Sequence, residues 1–280
     1  MINMHPDMNK NPIGVFDSGY GGLTVLKEIC KLLPEYDFIY LGDNARAPYG
    51  PLPFQTVYEF TLQAVKWLFN QGCPLVILAC NTASAKALRT IQQNDLPNLD
   101  TSKRVLGVIR PTSEIINEYS DSKHIGILAT VGTVQSNSYV LEIQKFHPEI
   151  VVSQLASPQW VDLVESGKQN SAEADEPVKN NIENLLNMDD KIDCILLACT
   201  HYPLLLNKIK QFVPANITII SQGEIVAESL KKYLNNHQKL DDLCSKTKKR
   251  LFFTTGDEIN FNEHASSFFG EPVTAGKINL

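Results

Sequence analysis

Two cysteines, Cys80 and Cys199, each close a run of apolar residues and are followed by small polar side chains. The sequence is VILACNTA around the first and ILLACTHY around the second. A thiol placed where a strand gives way to a helix has a lowered pKa, because the free N–H groups of the first helical turn favour the thiolate. A single cysteine of this kind is more often a packing residue. Two in matching contexts favour an acid/base pair.

Hydrogen-bonding side chains directly follow both thiols. Asn81 and Thr82 follow the first, and Thr200 and His201 follow the second. Amide, hydroxyl and imidazole groups can bind the amino and carboxylate groups of a small substrate. His201 can also hold the neighbouring thiol as a thiolate or supply it with a proton. We therefore predict that these four residues bind a small polar substrate beside the thiols.

Two further segments carry polar groups that suit the same substrate. Asp17 and Ser18 lie in the segment FDSGYGGL, which lacks the third glycine of a dinucleotide-binding loop. We predict that Ser18 and backbone N–H groups bind a carboxylate, and that Asp17 faces an ammonium or assists proton transfer. The alternative is a structural turn in which both residues cap a helix. Tyr49 and the Gly50 backbone lie in a rigid Pro-Tyr-Gly-Pro turn and can contact a ligand.

These segments need a framework that brings them together. Short β-rich runs alternate with helical periods along almost the whole chain, which is typical of an α/β fold with parallel sheets. Ligands bind at the carboxyl ends of such strands, where both cysteines are expected. We predict a helix at 55–70, loops at 167–176 and 235–249, and strands at 13–17, 38–41, 75–79, 105–109, 125–128, 151–155, 193–198, 217–220 and 251–254.

The length of 280 residues suggests two domains. A boundary near Arg110 would place one cysteine in each half. We predict a first α/β domain of residues 1–109 plus about 223–280, and a second of residues 110–222. Periodicity does not by itself show that the chain returns to the first domain. The repeated Ala-Cys context is explained either by two similar halves or by chance.

The composition limits the possible partners and compartment. There are 25 basic and 31 acidic residues, which leave a formal charge of −6 and argue against binding a nucleic-acid backbone. Residues 1–11 show no signal peptide, and no apolar run approaches the roughly 18 residues of a membrane span, so we expect a cytoplasmic protein. The six cysteines show no CxxC spacing, which argues against a disulfide framework or a metal site.

Several motifs together resemble the glutamate racemases of the aspartate/glutamate racemase superfamily. They cover most of the chain in the expected order and are individually short. The shared segments are GVFDSG at 14–19, GGLTVL at 21–26, PYG at 48–50, ACNTAS at 79–84, LVE at 163–165 and CTHYPL at 199–204.

This resemblance implies two pseudo-symmetric α/β domains with the site between them, a homodimer, and production of D-glutamate for peptidoglycan, and hence for cell-wall synthesis and cell shape. It implies no cofactor, including pyridoxal phosphate. It makes Cys80 and Cys199 the paired acid/base residues, assisted by Asp17, Glu165 and His201. The substrate-binding residues that it implies are Asp17, Ser18, Tyr49, Gly50, Asn81, Thr82, Thr200 and His201.

Two positions depart from the usual family pattern. Arg110 stands where many members have glutamate, and Ser157 where many have cysteine. Neither belongs to the paired thiols. These departures therefore bear on domain packing and regulation more than on the reaction.

Other functions remain open from the residues alone. The same thiols would serve a racemase of another amino acid such as aspartate. A redox sensor would need a resolving cysteine near a reactive one, whereas Cys73 and Cys194 are separated from the predicted pair largely along strands. A non-catalytic binding protein would need neither thiol. In the racemase, one thiolate removes the α-proton and the opposite thiol protonates the other face.

Overall fold

The computed structural model describes residues 11–280. The segment for which we predict no signal peptide lies almost entirely outside these residues. The strands are β1 (Ile13–Asp17), β2 (Phe38–Gly42), β3 (Leu75–Leu78), β4 (Arg104–Gly107), β5 (His124–Ala129), β6 (Val151–Ala156), β7 (Cys194–Ala198), β8 (Thr218–Ser221), β9 (Arg250–Thr254) and β10 (Ala275–Lys277).

Helices flank these strands along the chain. Short non-α helical segments lie at Asn44–Arg46, Ile91–Asp95, Ile116–Tyr119, Ala172–Ala174 and Tyr202–Leu205. The α-helices are α1 (Leu23–Leu32), α2 (Phe54–Asn70), α3 (Asn81–Lys86), α4 (Leu88–Thr90), α5 (Leu96–Leu99), α6 (Ile109–Ile115), α7 (Val131–Gln135), α8 (Ser138–Phe146), α9 (Gln159–Glu165), α10 (Asp175–Met188), α11 (Leu206–Phe212), α12 (Gln222–Asn236), α13 (Gln238–Asp241) and α14 (Glu258–Phe269).

The strands form two sheets in which every paired neighbour is parallel. The first sheet has the order β10-β9-β2-β1-β3-β4, and the second has the order β6-β5-β7-β8. Every residue of β1, β3 and β7 is buried, as expected for central strands covered by helices on both faces. The predicted α/β class with mostly parallel sheets flanked by helices is confirmed.

The C-terminal part of the chain rejoins the first sheet. Strand β8 is at the edge of the second sheet, after which α12 packs along α1 and β9 pairs with β2. The chain therefore passes between the sheets twice, before α6 and at the start of α12. The exact domain boundaries stay a prediction.

Some predicted elements begin or end at other residues than expected, and one strand was missed. The strand predicted to reach Ile109 ends at Gly107, because the apolar residues that follow are buried in the start of α6 rather than in the sheet. The loop predicted at 235–249 contains α13, whose Leu240 is buried. Helix α10 begins at Asp175, inside the loop predicted at 167–176. Strand β10 carries no apolar run and was missed.

The two residues that depart from the usual family pattern, Arg110 and Ser157, both form contacts with other side chains of the fold. Arg110 is on the surface of α6, where its Nε lies 2.8 Å from the Glu114 carboxylate. Ser157 is fully buried, and its hydroxyl accepts a hydrogen bond from Asn181. Its carbonyl also accepts a hydrogen bond from the Tyr202 hydroxyl. Across residues 11–280, no helix is long and apolar enough to cross a membrane.

The buried carboxylate of Asp37 fastens the segment before β9 to the start of β2. It accepts hydrogen bonds from the backbone N–H groups of Thr247 and Lys249, at 2.9 and 2.8 Å, and from the Thr247 hydroxyl. Burial raises the pKa of Asp37, but these and neighbouring hydrogen bonds outweigh it and leave the pKa below its usual value. The carboxylate is therefore more stable in the folded protein than in the unfolded chain.

We predict that Asp37→Ala lowers the free energy of unfolding by about 1–3 kcal/mol near neutral pH, because it removes the acceptor for buried donors. Since the folded pKa is depressed, this contribution is complete above the unfolded pKa of about 3.9 and is lost as pH falls through the folded value. Urea unfolding of both proteins at several pH values measures it. Asp190→Ala, at an exposed aspartate, is the control. A difference from wild type that does not shrink in acid would contradict the assignment.

Candidate active site

A cavity of about 180 Å³ lies between the carboxyl ends of the two sheets. Pockets for drug-sized ligands are typically about 300–1,000 Å³, so this one suits a small metabolite. Nine of the predicted site residues line it: Ser18, Gly50, Cys80, Asn81, Thr82, Glu165, Cys199, Thr200 and His201. The two thiols thus reach one cavity from different sheets.

Cys80 lies between β3 and α3. Its Sγ accepts a hydrogen bond from the Ala83 backbone N–H at 3.4 Å and lies 3.5 Å from the Ser18 hydroxyl. These contacts lower the thiol pKa, but burial and the negative charge of Asp17 raise it to about 12. The expectation of a lowered pKa was therefore wrong for this cysteine. Near neutral pH this cysteine is therefore in the thiol form.

Cys199 directly follows β7 and lies beside a histidine that contacts a carboxylate. Its Sγ is 3.9 Å from Nδ1 of His201, whose Nε2 is 3.0 Å from the Glu165 carboxylate. Burial alone would lower the pKa of His201, but its contacts with Cys199 and Glu165 raise it to about 10. The imidazole is therefore a cation near neutral pH. A turn and a short non-α helix, rather than an α-helix, follow this cysteine.

Asp17 does not line the cavity but lies behind residues that do. It is 1% exposed, and its carboxylate accepts a hydrogen bond from the Gly19 N–H at 2.9 Å. The Thr200 hydroxyl lies 3.5 Å from its other oxygen. Burial raises the pKa of Asp17, while the positive charge of His201 opposes that shift. A raised carboxyl pKa next to the thiols suits a group that exchanges protons.

The glycines after Asp17 provide space for the turn that carries the second thiol. A Cβ atom on Gly21 would lie 2.2 Å from the Thr200 hydroxyl oxygen and 2.6 Å from His201 Nδ1. Thr24 holds the same turn through a hydrogen bond to the Thr200 carbonyl at 3.0 Å. The close approach of two segments, rather than a tight turn alone, explains this glycine.

The Tyr49 side chain does not line the cavity. Its hydroxyl donates a hydrogen bond to Asp43, and the residue is 1% exposed. This contact fixes the loop so that Gly50 approaches Thr130, whose Cβ would lie 3.3 Å from a Cβ atom on that glycine. Any contact of Tyr49 with a ligand must therefore use its backbone. Its predicted role in substrate binding stays a prediction.

Sequence reasoning missed Thr130 and several apolar residues of the cavity wall. Thr130 follows β5, caps α7, and lies 2.9 Å from the Thr82 hydroxyl across the two sheets. The rule that located the cysteines, a polar residue after a buried strand, also applies to Thr130. The other lining residues that were not predicted are the apolar Ala47, Val131, Pro158 and Val161 and the acidic Asp162, whereas Pro48 and Pro51 belong to the predicted turn.

The cavity offers neutral hydrogen-bond donors rather than lysine or arginine. Hydroxyls of Ser18, Thr82, Thr130 and Thr200 and the amide of Asn81 surround it, with His201 as its one cationic side chain among the lining residues of the part described. Such donors can bind carboxylates in a site that excludes water. Within residues 11–280, no group of three or more His, Cys, Asp or Glu residues could hold a metal ion.

Comparisons with known proteins agree on one family. Residues 21–230 match the family model of Asp/Glu/Hydantoin racemases. A glutamate racemase of Bacillus cereus is 39% identical over 262 residues, covering 93% of this chain and 94% of that protein.

Solved structures give the same result. A glutamate racemase isoform from Bacillus anthracis is 33% identical, with a TM-score of 0.87 over 96% of this chain and 98% of that chain. The Francisella tularensis glutamate racemase, solved in complex with D-glutamate, is 29% identical with a TM-score of 0.85, covering 96% of this chain and 98% of that chain.

The contact between His201 and Glu165 predicts that the negative charge of Glu165 raises the pKa of His201. We expect Glu165→Gln to lower the pKa of His201, because the variant loses a negative charge that favours the imidazolium. NMR titration of the histidine Cε1–H signals measures this, with the signal identified by its loss in His201→Asn. Glu176→Gln, at an exposed carboxylate that does not line the cavity, should leave the pKa unchanged. An unaltered His201 pKa in Glu165→Gln would refute the coupling.

Proposed function

This chain belongs to the Asp/Glu/Hydantoin racemase family and is an amino-acid racemase, and on that premise we propose that it interconverts L- and D-glutamate without a cofactor. The observation that carries the proposal is the meeting of Cys80 and Cys199 in one small cavity from two different sheets. Racemisation needs a base on one face of the α-carbon and an acid on the other. Two thiols from opposite sides meet that requirement.

The reaction has two proton transfers. The thiolate of one cysteine removes the α-proton, which leaves a carbanion at the α-carbon. The thiol of the other cysteine then donates its proton to the opposite face, which gives the enantiomer and leaves that cysteine as the thiolate. Because the α-proton is far less acidic than a thiol, the buried cavity must stabilise the carbanion through its hydrogen-bond donors.

Each thiol has its own partner for these transfers. The Cys80 thiol, with its pKa raised to about 12, is a proton donor in the free enzyme and lies near Asp17. Cys199 lies beside the His201 imidazolium, which can exchange a proton with it. We propose Asp17, His201 and Glu165 as the groups that assist the two cysteines.

Glutamate is favoured over aspartate as the substrate by the relatives that match almost the full chain, which are glutamate racemases. In the proposed complex, Ser18, Asn81, Thr82 and Thr200 bind the amino and carboxylate groups, with Asp17, Tyr49, Gly50 and His201 completing the site. A racemase of aspartate is the alternative that the residues alone leave open.

The physiological role is proposed from the same family. We propose a cytoplasmic homodimer that supplies D-glutamate for peptidoglycan, with a small-molecule substrate and without a nucleic-acid or membrane partner. Expression in a bacterial strain that lacks glutamate racemase should restore growth without added D-glutamate, whereas the Cys80→Ser variant should not. Growth that still requires D-glutamate, despite active protein in the cells, would contradict this role. Analytical ultracentrifugation tests the dimer.

The two-thiol mechanism predicts a distinct isotope pattern. In D2O without added cofactor, L-glutamate should give D-glutamate that carries deuterium at the α-carbon, because the donating thiol has exchanged with solvent. The remaining L-glutamate should keep its protium early in the reaction. Chiral chromatography with mass spectrometry measures both pools, and L-aspartate tests the alternative substrate. Deuterium entering substrate and product equally fast would contradict two separate bases.

Each cysteine should be indispensable. We expect Cys80→Ser and Cys199→Ser each to lower kcat by at least about 1,000-fold, since a hydroxyl is a far weaker acid than a thiol. Circular dichroism should show an intact fold. Cys244→Ser is the matched control, because that buried thiol lies away from the cavity and serine can keep its hydrogen bond to the Leu240 carbonyl. Near wild-type turnover in either active-site variant would refute the assignment.

A further inference from the structure

Gln222 lies where the chain crosses between the sheets for the second time, and both the oxygen and the nitrogen of its side-chain amide form hydrogen bonds. It is the first residue of α12 and is 4% exposed. Its Oε1 accepts a hydrogen bond from Nδ2 of Asn81 at 2.7 Å. Its Nε2 faces the Val108 carbonyl at 3.1 Å and the Tyr139 hydroxyl at 2.6 Å. Gln222 therefore contacts Val108 at the first crossing, helix α8 through Tyr139, and the cavity residue Asn81.

Asn81, Tyr139 and Gln222 form a closed ring of hydrogen bonds. The Tyr139 hydroxyl accepts from Gln222 and donates to Oδ1 of Asn81 at 2.6 Å. The ring is buried, since Tyr139 is 0% exposed and Asn81 is 2% exposed. Breaking one member would leave buried polar groups without partners, so the ring strongly resists rearrangement.

A single carbonyl sets the direction of the whole ring. The Val108 carbonyl can only accept a hydrogen bond, so Gln222 must turn its NH2 group towards it. The Gln222 oxygen then faces Asn81, which must present its own NH2 group there. The Asn81 oxygen is left to accept the hydrogen bond of Tyr139. In the reverse orientation the Gln222 oxygen would face the Val108 carbonyl oxygen, and the two would repel each other.

This orientation determines what Asn81 can offer to the cavity. Its Nδ2 has two hydrogens, and Gln222 takes only one. The second N–H remains available to a ligand, and Asn81 lines the cavity. A carboxylate accepts hydrogen bonds and cannot donate them, so it needs this N–H rather than the amide oxygen. A reversed Asn81 would repel the same carboxylate.

We propose that Gln222, together with Tyr139, is a positioning residue that holds Asn81 with an N–H directed at a substrate carboxylate. This inference rests on the proposed glutamate racemisation. The Val108 carbonyl, at the start of α6, determines how the Gln222 amide is turned. The Asn81 N–H is therefore directed at the carboxylate only while Val108 and Gln222, at the two crossings between the sheets, remain in contact. Gln222 does not touch the reacting atoms and acts through Asn81.

Gln222→Met tests the proposal, because methionine has a similar length and volume but no hydrogen bonds. We expect KM for L- and D-glutamate to rise roughly ten-fold, the scale of one or two hydrogen bonds, while kcat stays within about three-fold. The carboxylate already accepts this hydrogen bond when the substrate binds, before any proton transfer, so most of the loss should appear in KM. Tyr139→Phe, which only deletes the hydroxyl, should raise KM in the same direction.

A double-mutant cycle separates positioning from a structural role. In an Asn81→Ala background, Gln222→Met should change kcat/KM by less than about two-fold, because the group it positions is gone. The matched control is Gln154→Met, whose amide donates to the Val134 carbonyl at 3.2 Å and Asn137 Oδ1 at 2.7 Å, away from the cavity. It should leave KM unchanged. Thermal unfolding checks that each variant is folded.

The outcomes separate the two claims. Wild-type protein that does not racemise glutamate would overturn the proposed function. Active wild type with an unchanged KM in folded Gln222→Met and Tyr139→Phe would overturn the positioning role alone. An equal loss from Gln222→Met with and without Asn81 would also overturn it, since the effect would not pass through that residue.

Discussion

Two thiols from different sheets share one small, buried cavity, and several contacts of the fold bring them together there. Cys80 and Cys199 end strands that lie in separate sheets, so their meeting requires the carboxyl ends of both sheets to face each other. Gly21 permits this approach, since any side chain there would collide with Thr200 and His201. Thr82 and Thr130 join the two sides by a hydrogen bond between their hydroxyls.

Burial in this cavity gives the two thiols different surroundings. Loss of water and the charge of Asp17 favour the neutral thiol at Cys80. At the second site, contacts with the Cys199 sulfur and the Glu165 carboxylate keep His201 protonated despite burial. A buried site of low dielectric constant strengthens the hydrogen bonds and charge interactions within it. This is the environment in which a weakly acidic α-proton can be transferred by groups as mild as thiols.

Polar groups in and next to the cavity wall are held in place by hydrogen bonds to other parts of the fold. Tyr49 is fastened to Asp43 and thereby fixes the Gly50 loop. Asn81 is fixed by Tyr139 and Gln222, which in turn bonds to Val108 at the first crossing between the sheets. Asn81, which we propose to bind substrate, is thus oriented by residues whose hydrogen bonds link segments at both crossings between the sheets. Such support reduces the entropy lost when a ligand binds.

Local sequence determined most of the strands, the fold class and the position of both cysteines, because apolar runs and the residues that end them are encoded within a few positions. The motifs around Asp17, Cys80 and Cys199 were also sufficient to indicate the family. Tertiary structure decided the rest. The raised pKa of Cys80 depends on burial and on Asp17, far away in sequence. The roles of Thr130 and Gln222 depend on contacts across the two sheets, which no local pattern contains.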